Sequence, residues 1–156
     1  FIISTNMEYI TSKTHSITLN RDNRVLQITE TGYLNMIVPT RTNSGTTLTL
    51  IETTDSFNMR RSLTLHYDNN PICFEKPEQN TNVKLDLSKY ANLPYIYEKE
   101  QFSMKTIAIV NHRFAEFALD DYMGNEPGPI KWWNLDTKDS TIKTPKENQW
   151  FTINII

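Results

Sequence analysis

A chain of 156 residues with 38% hydrophobic and 22% charged residues can close one core and is too apolar to remain disordered. A formal net charge of −2 and a pI near 5.9 supply no electrostatic drive toward nucleic acid or an anionic membrane, and no apolar run is long enough to span a bilayer. Cys73 is the only cysteine, which excludes an internal disulfide.

One domain over residues 1–156 is expected, without a linker or low-complexity segment. Phe1-Ile2-Ile3 is followed at once by polar residues, so it does not read as a signal-peptide core. The first residue is not Met, and a processed form is the expectation. A free thiol fits synthesis in the cytosol and leaves a later extracellular life open. No Asn-x-Ser/Thr glycosylation signal occurs.

Apolar and polar residues alternate with period two along most of the chain, the pattern of half-buried strands. In order, strands are expected at Ile17–Leu19, Val25–Ile28, Tyr33–Val38, Leu48–Ile51, Leu63–Leu65 and Ile72–Phe74. Val83–Leu87, Met104–Val110, Phe114–Leu119, Ile130–Leu135 and Trp150–Ile155 complete the series. Turn residues separate them: Asn20–Asn23, Asn43-Ser44-Gly45, Asp68–Pro71 and Gly124–Pro129. Pro and Gly argue against a regular element in the last of these. Leu87–Tyr97 is the one stretch suited to a helical turn, with Ser88 as cap and Pro94 as stop. The class is all-β.

Chemistry is sparse. His15, His66 and His112 are far apart, with no neighbour at metal-ligand spacing, and His66 is expected to face solvent. Cys73 lies out of phase with Ile72 and Phe74, so its thiol is expected to be partly exposed, and no base accompanies it. Asp120-Asp121 reads as a solvated acidic pair in a loop. No catalytic residue, metal site or cofactor is therefore assigned. Trp132-Trp133 allows two arrangements. Either one indole enters the core and the other is an exposed binding anchor, or both pack, the second beneath a loop.

Several stretches, taken together, resemble the interleukin-1 cytokine family, especially its interleukin-18-like and interleukin-37-like branches. His15–Ile28 is similar to the family's opening β-hairpin, with an Asn/Asp-rich turn followed by Val25-Leu26. Tyr33–Pro39 is similar to a third strand ending in Val-Pro. Asn70–Lys76 is similar to a Cys-containing strand that ends in Glu-Lys, and Val83–Leu87 to a Leu-x-Leu strand. Trp150–Asn154 resembles the closing Phe-Thr strand. The chain departs from the family's Phe-Glu-Ser segment at Glu116–Met123, where no Ser follows.

The resemblance implies a β-trefoil, a six-stranded barrel capped by three hairpins. It implies a secreted monomeric ligand, released from a cytosolic precursor without a classical signal peptide, that binds cell-surface receptors with immunoglobulin-like domains. Neither cofactor nor nucleic acid nor membrane insertion is implied. Carried over residue by residue, receptor contacts fall on the first-hairpin turn, Arg21, Asp22, Asn23 and Arg24, and on Lys138 and Asp139 before the last strand. A merely solvated turn would use the same residue types. The competing architecture is a β-sandwich or jelly roll, serving as a viral or microbial attachment or carbohydrate-binding module. First and last strands lying side by side would favour the trefoil, and two stacked sheets the sandwich.

Overall fold

The computed structural model describes residues 9–86, 93–111, 116–137 and 143–156. They form an all-β structure of strands β1 (Ile10–Arg21), β2 (Arg24–Ile28), β3 (Leu34–Ile37), β4 (Leu48–Asp55), β5 (Arg60–Tyr67), β6 (Asn70–Pro71) and β7 (Pro94–Glu98). Then come β8 (Thr106–Asn111), β9 (Phe117–Asp121), β10 (Gly128–Asn134), β11 (Asp136–Thr137), β12 (Lys143–Thr144) and β13 (Phe151–Ile155). A 3₁₀ turn, Glu147–Gln149, precedes the last strand.

Among the described residues every strand pairing is antiparallel. One sheet runs β13-β8-β9-β10-β3-β2-β1-β4-β5-β6, with β7 joined to β8. Because β13 also pairs with β1, with Ile17 opposite Ile155 and Leu19 opposite Ile153, the path from β13 round to β1 closes on itself. The first and last strands are thus neighbours. β5 comes alongside β7, where Arg61 and Glu98 form an ion pair. Three further hairpin units touch one another in a ring. The β2–β3 hairpin meets β10 through Met36–Gly128. The segment around 82–85 bridges to both of them, with Tyr33 opposite Lys84 and Asn82 opposite Lys131. Phe74 opposite Leu85 closes that segment on itself.

Alternation explains the core. Ile17 and Leu19 of β1, Leu48 and Leu50 of β4, Ile107 and Ile109 of β8, and Ile130 and Trp132 of β10 all turn inward. Phe74 meets Trp132 edge-on, ring centroids 5.4 Å apart at 89°. The turns use left-handed backbone where the residues permit it. Asp68 and Asn69, at φ of 52° and 65°, make the two-residue turn between Tyr67 and Asn70. Gly45 has φ of 92°, and a Cβ there would lie 2.6 Å from a Val25 methyl, so only glycine fits.

Several expectations are corrected. Leu87–Tyr97 is not a helical turn where it is described: Pro94–Glu98 is strand β7, in which Tyr95 and Tyr97 point outward while Ile96 packs on the core. Residue 88, the expected cap, lies outside the described residues. The stretch around Val83 buries Val83 and Leu85 as the alternation requires, but it pairs through single bridges rather than a continuous ladder. β6 ends at Pro71, so Ile72–Phe74 is not a regular strand, and Cys73 is buried rather than partly exposed. Gly128 and Pro129 belong to β10, opposite Met36 and Asn35, despite the turn composition around them. The β11–β12 hairpin has no sequence signal of the alternating kind.

Candidate interaction surface at the first hairpin turn

β1 and β2 are joined by two residues, Asp22 and Asn23, with Arg21 directly opposite Arg24. Asp22 has φ of 53°, a conformation that aspartate tolerates in tight turns. Asp22 and Asn23 are exposed. Of the two arginines expected as contacts beside them, Arg21 is half-buried and Arg24 is buried.

Arg24 is fully buried and organises its surroundings. Its Nη1 donates to Asp121 Oδ1 and to the Glu126 carbonyl, both at 2.9 Å. Its Nη2 donates to Asp121 Oδ2 at 2.6 Å, to Asp22 Oδ2 at 3.3 Å and to the Gly124 carbonyl. The bond to Asp121 is the main reason the Arg24 pKa lies above its ordinary value, with burial acting against it. Arg21 reaches the same carboxylate, Nε to Asp121 Oδ2 at 2.9 Å. Its Nη1 donates to the carbonyls of Glu147 at 2.7 Å and Trp150 at 2.9 Å, and its Nη2 to Asn148 Oδ1 at 3.3 Å. One buried carboxylate and two guanidinium forks therefore tie the β1–β2 turn to the β9–β10 turn and to the segment before β13. Such bidentate, charge-assisted bonds fix geometry as well as supplying energy.

Asp120 and Asp121 close strand β9 and are both buried, so the solvated acidic pair is also corrected. Period two separates them. Asp121 shares the core-facing side with Leu119, Ile130 and Trp132, whereas Asp120 lies opposite Lys131 on the outer side, together with Trp133. Gln149 Nε2 donates to Asp120 Oδ2 at 3.1 Å and to the carbonyls of Trp133 and Asn134. Burial raises the Asp120 pKa above the ordinary aspartate value, and the Gln149 bond opposes it.

Of the two adjacent tryptophans, Trp132 is in the core and cannot be an exposed anchor. Trp133 is half-buried, its ring 5.7 Å from that of Tyr122 at 36°. Lys138 and Asp139 lie outside the described residues, as does His112. His15 faces Glu52 at 3.7 Å and is far from the hairpin turn in the β1–β4 ladder, while His66 is half-buried on β5. Among the described residues, no three His, Cys, Asp or Glu side chains are grouped to hold a metal ion.

The expected contact residues thus divide. Asp22 and Asn23 form the exposed tip, and Arg21 and Arg24 form its anchor. Sequence reasoning missed Asp121 as a member of this cluster and Gln149 as the partner of Asp120 beside it. A doubled acid at the end of a period-two run was the available signal for Asp121, and nothing local marked Gln149. Comparison of the chain with family models, with curated proteins and with solved structures gives no match.

Proposed function

We propose that this chain is a β-trefoil ligand of the interleukin-1 type, acting outside the cell by binding receptors with immunoglobulin-like domains rather than by catalysis. The observation that carries this reading is the pairing of the first strand with the last, joined to a ring of three mutually touching hairpin units. In that arrangement β1, β4, β5, β7, β8 and β13 would be the barrel. The caps would be β2–β3, the 70–85 segment and β9–β10. The resemblance of the opening hairpin then assigns the receptor-facing role to its tip. A tip anchored by Arg21, Arg24 and Asp121 presents Asp22 and Asn23 in one conformation, which lowers the ordering cost of binding.

The test is surface plasmon resonance against a panel of receptor ectodomains built of immunoglobulin-like domains, run beside a glycan array. Asp22→Asn removes the charge while keeping a side chain that accepts the left-handed turn. Binding to one ectodomain, weakened about threefold to tenfold by Asp22→Asn through a slower on-rate, is expected. Unchanged affinity argues against the turn as a contact. Glycan binding with no receptor binding would replace the proposal by the attachment-module reading. Charge reversal at Arg24 does not serve here, because Arg24 is buried and its loss perturbs the fold.

A further inference from the structure

Beside the hairpin turn lies a cleft of about 320 Å³ lined by Asp120, Tyr122, Trp133, Lys146, Glu147 and Asn148. Its aromatic wall is the Tyr122–Trp133 pair. Its most buried member is Asp120, a carboxylate only 6% exposed that accepts one hydrogen bond, from Gln149. Both neighbouring lysines are engaged elsewhere. Lys131, directly across the ladder, donates through Nζ to Asn80 Oδ1 at 3.1 Å and sits 4.2 Å from the Tyr122 ring centroid. Lys146 donates to Asn134 Oδ1 at 3.1 Å. Asp120 makes no ion pair among the described residues, whereas its neighbour Asp121 makes two.

Lys146, which lines the cleft, and Arg21 offset the charge of Asp120 only from a distance, and a desolvated carboxylate without a direct ion pair gains from a cation brought against it. The shape of the cleft narrows the choice. A metal ion would need more donors than the Asp120 and Glu147 carboxylates, and no group of three His, Cys, Asp or Glu side chains stands here among the described residues. A neutral ligand would leave Asp120 without a directly bonded counter-charge. A planar guanidinium suits both features at once, because it stacks on an aromatic face and donates in parallel to a carboxylate. Exposed Glu147 adds a second negative charge at the rim.

We infer that this cleft receives an arginine side chain from a protein partner, its guanidinium stacked on Trp133 and donating to Asp120. The cleft is continuous with the hairpin tip, since Arg21 bonds the Glu147 carbonyl and the Asn148 side chain that border it. That the partner is a receptor rests on the function proposed above. The guanidinium preference rests on the cleft alone.

The experiment is an NMR titration of the intact chain, following the tryptophan indole N–H resonances, with Nα-acetyl-arginine amide, the corresponding lysine amide and the neutral isostere Nα-acetyl-citrulline amide. The arginine probe is expected to shift the Trp133 indole with a Kd of about 1–50 mM, leaving the buried Trp132 indole in place as the folding control. The lysine probe and the Asp120→Asn variant should each bind at least about fivefold more weakly, and citrulline should not shift the indole. No shift with the arginine probe overturns the inference, as does an equal shift with citrulline or an unaltered response in Asp120→Asn. Equal binding of the lysine probe overturns the guanidinium assignment. Because no receptor is present, a negative titration leaves the receptor reading standing. A positive titration beside a negative ectodomain panel sinks only that reading.

Discussion

Arg24→Met keeps the unbranched apolar stem of the side chain and deletes its guanidinium and charge. Asp121, with no exposed surface, would then keep only the single bond from Arg21 Nε, and the Gly124 and Glu126 carbonyls would lose their donor. Breaking a buried pair from one side costs about 3–5 kcal/mol, because the remaining charge stays buried. The retained Arg21 bond places the expectation at the lower end, about 3–4 kcal/mol. For a domain of this length each kcal/mol moves Tm by about 2–4 °C, so a fall of roughly 6–16 °C follows. Urea denaturation followed by tryptophan fluorescence measures the loss, since Trp132 is in the core. The double variant Arg24→Met/Asp121→Leu removes both charges and should be markedly less damaging than the sum of the single changes. A loss under about 1 kcal/mol in Arg24→Met, or strict additivity in the double variant, would refute the role assigned to this pair.

Two further results are expected. Trp132→Ala should cost about 3–5 kcal/mol, because it empties a core site packed edge-on against Phe74. Trp133→Ala, one residue on and half-buried, should cost about 1 kcal/mol or less, and equal effects in chemical denaturation would contradict the assigned faces. Acid titration of stability should separate two carboxylates of opposite sense. The hydrogen bond from Arg61 holds Glu52 below the ordinary glutamate range, against burial. Its contribution is therefore present above that range and lost as pH falls through the depressed folded value. Glu52→Gln should lower the urea midpoint at pH 7 and converge on the native chain in strong acid. For Asp120 burial raises the folded value, so its contribution is full below the ordinary aspartate range and lost as pH rises through the raised one. Asp120→Asn should raise the pH 7 midpoint, with the difference closing in acid. Parallel profiles for either variant would count against its assigned shift.

Most strands were legible because a strand with one face on the core must alternate, and alternation is local. Ile17 and Leu19, or Ile130 and Trp132, announce an inward face without reference to any partner. Strand β7 was obscured by Pro94, which suggests a helix stop but here opens a strand whose pairing partner is β8. The 83–85 segment alternated as expected, but its neighbours allow only single bridges, and neighbours are not written in local pattern.

The site was legible only at its tip. Asp22 and Asn23 are turn residues by type, and a turn needs nothing distant to define it. Whether Arg21 and Arg24 faced water or the interior depended on Asp121, 97 residues beyond Arg24, and on carbonyls of two other loops. Charged residues default to solvent unless a partner is supplied.

The amino-acid sequence by itself determined the all-β class, the absence of a disulfide staple and the position of the first hairpin turn, since composition and short-range periodicity are enough for these. Only the tertiary structure decided that β13 returns to β1, that Trp132 rather than Trp133 fills the core, and that adjacent aspartates have opposite fates. The physical reason is common to all three. Burial and ion pairing are properties of what the folded chain brings against a residue, and for Arg24, Asp120 and Asp121 those partners lie on other strands and loops.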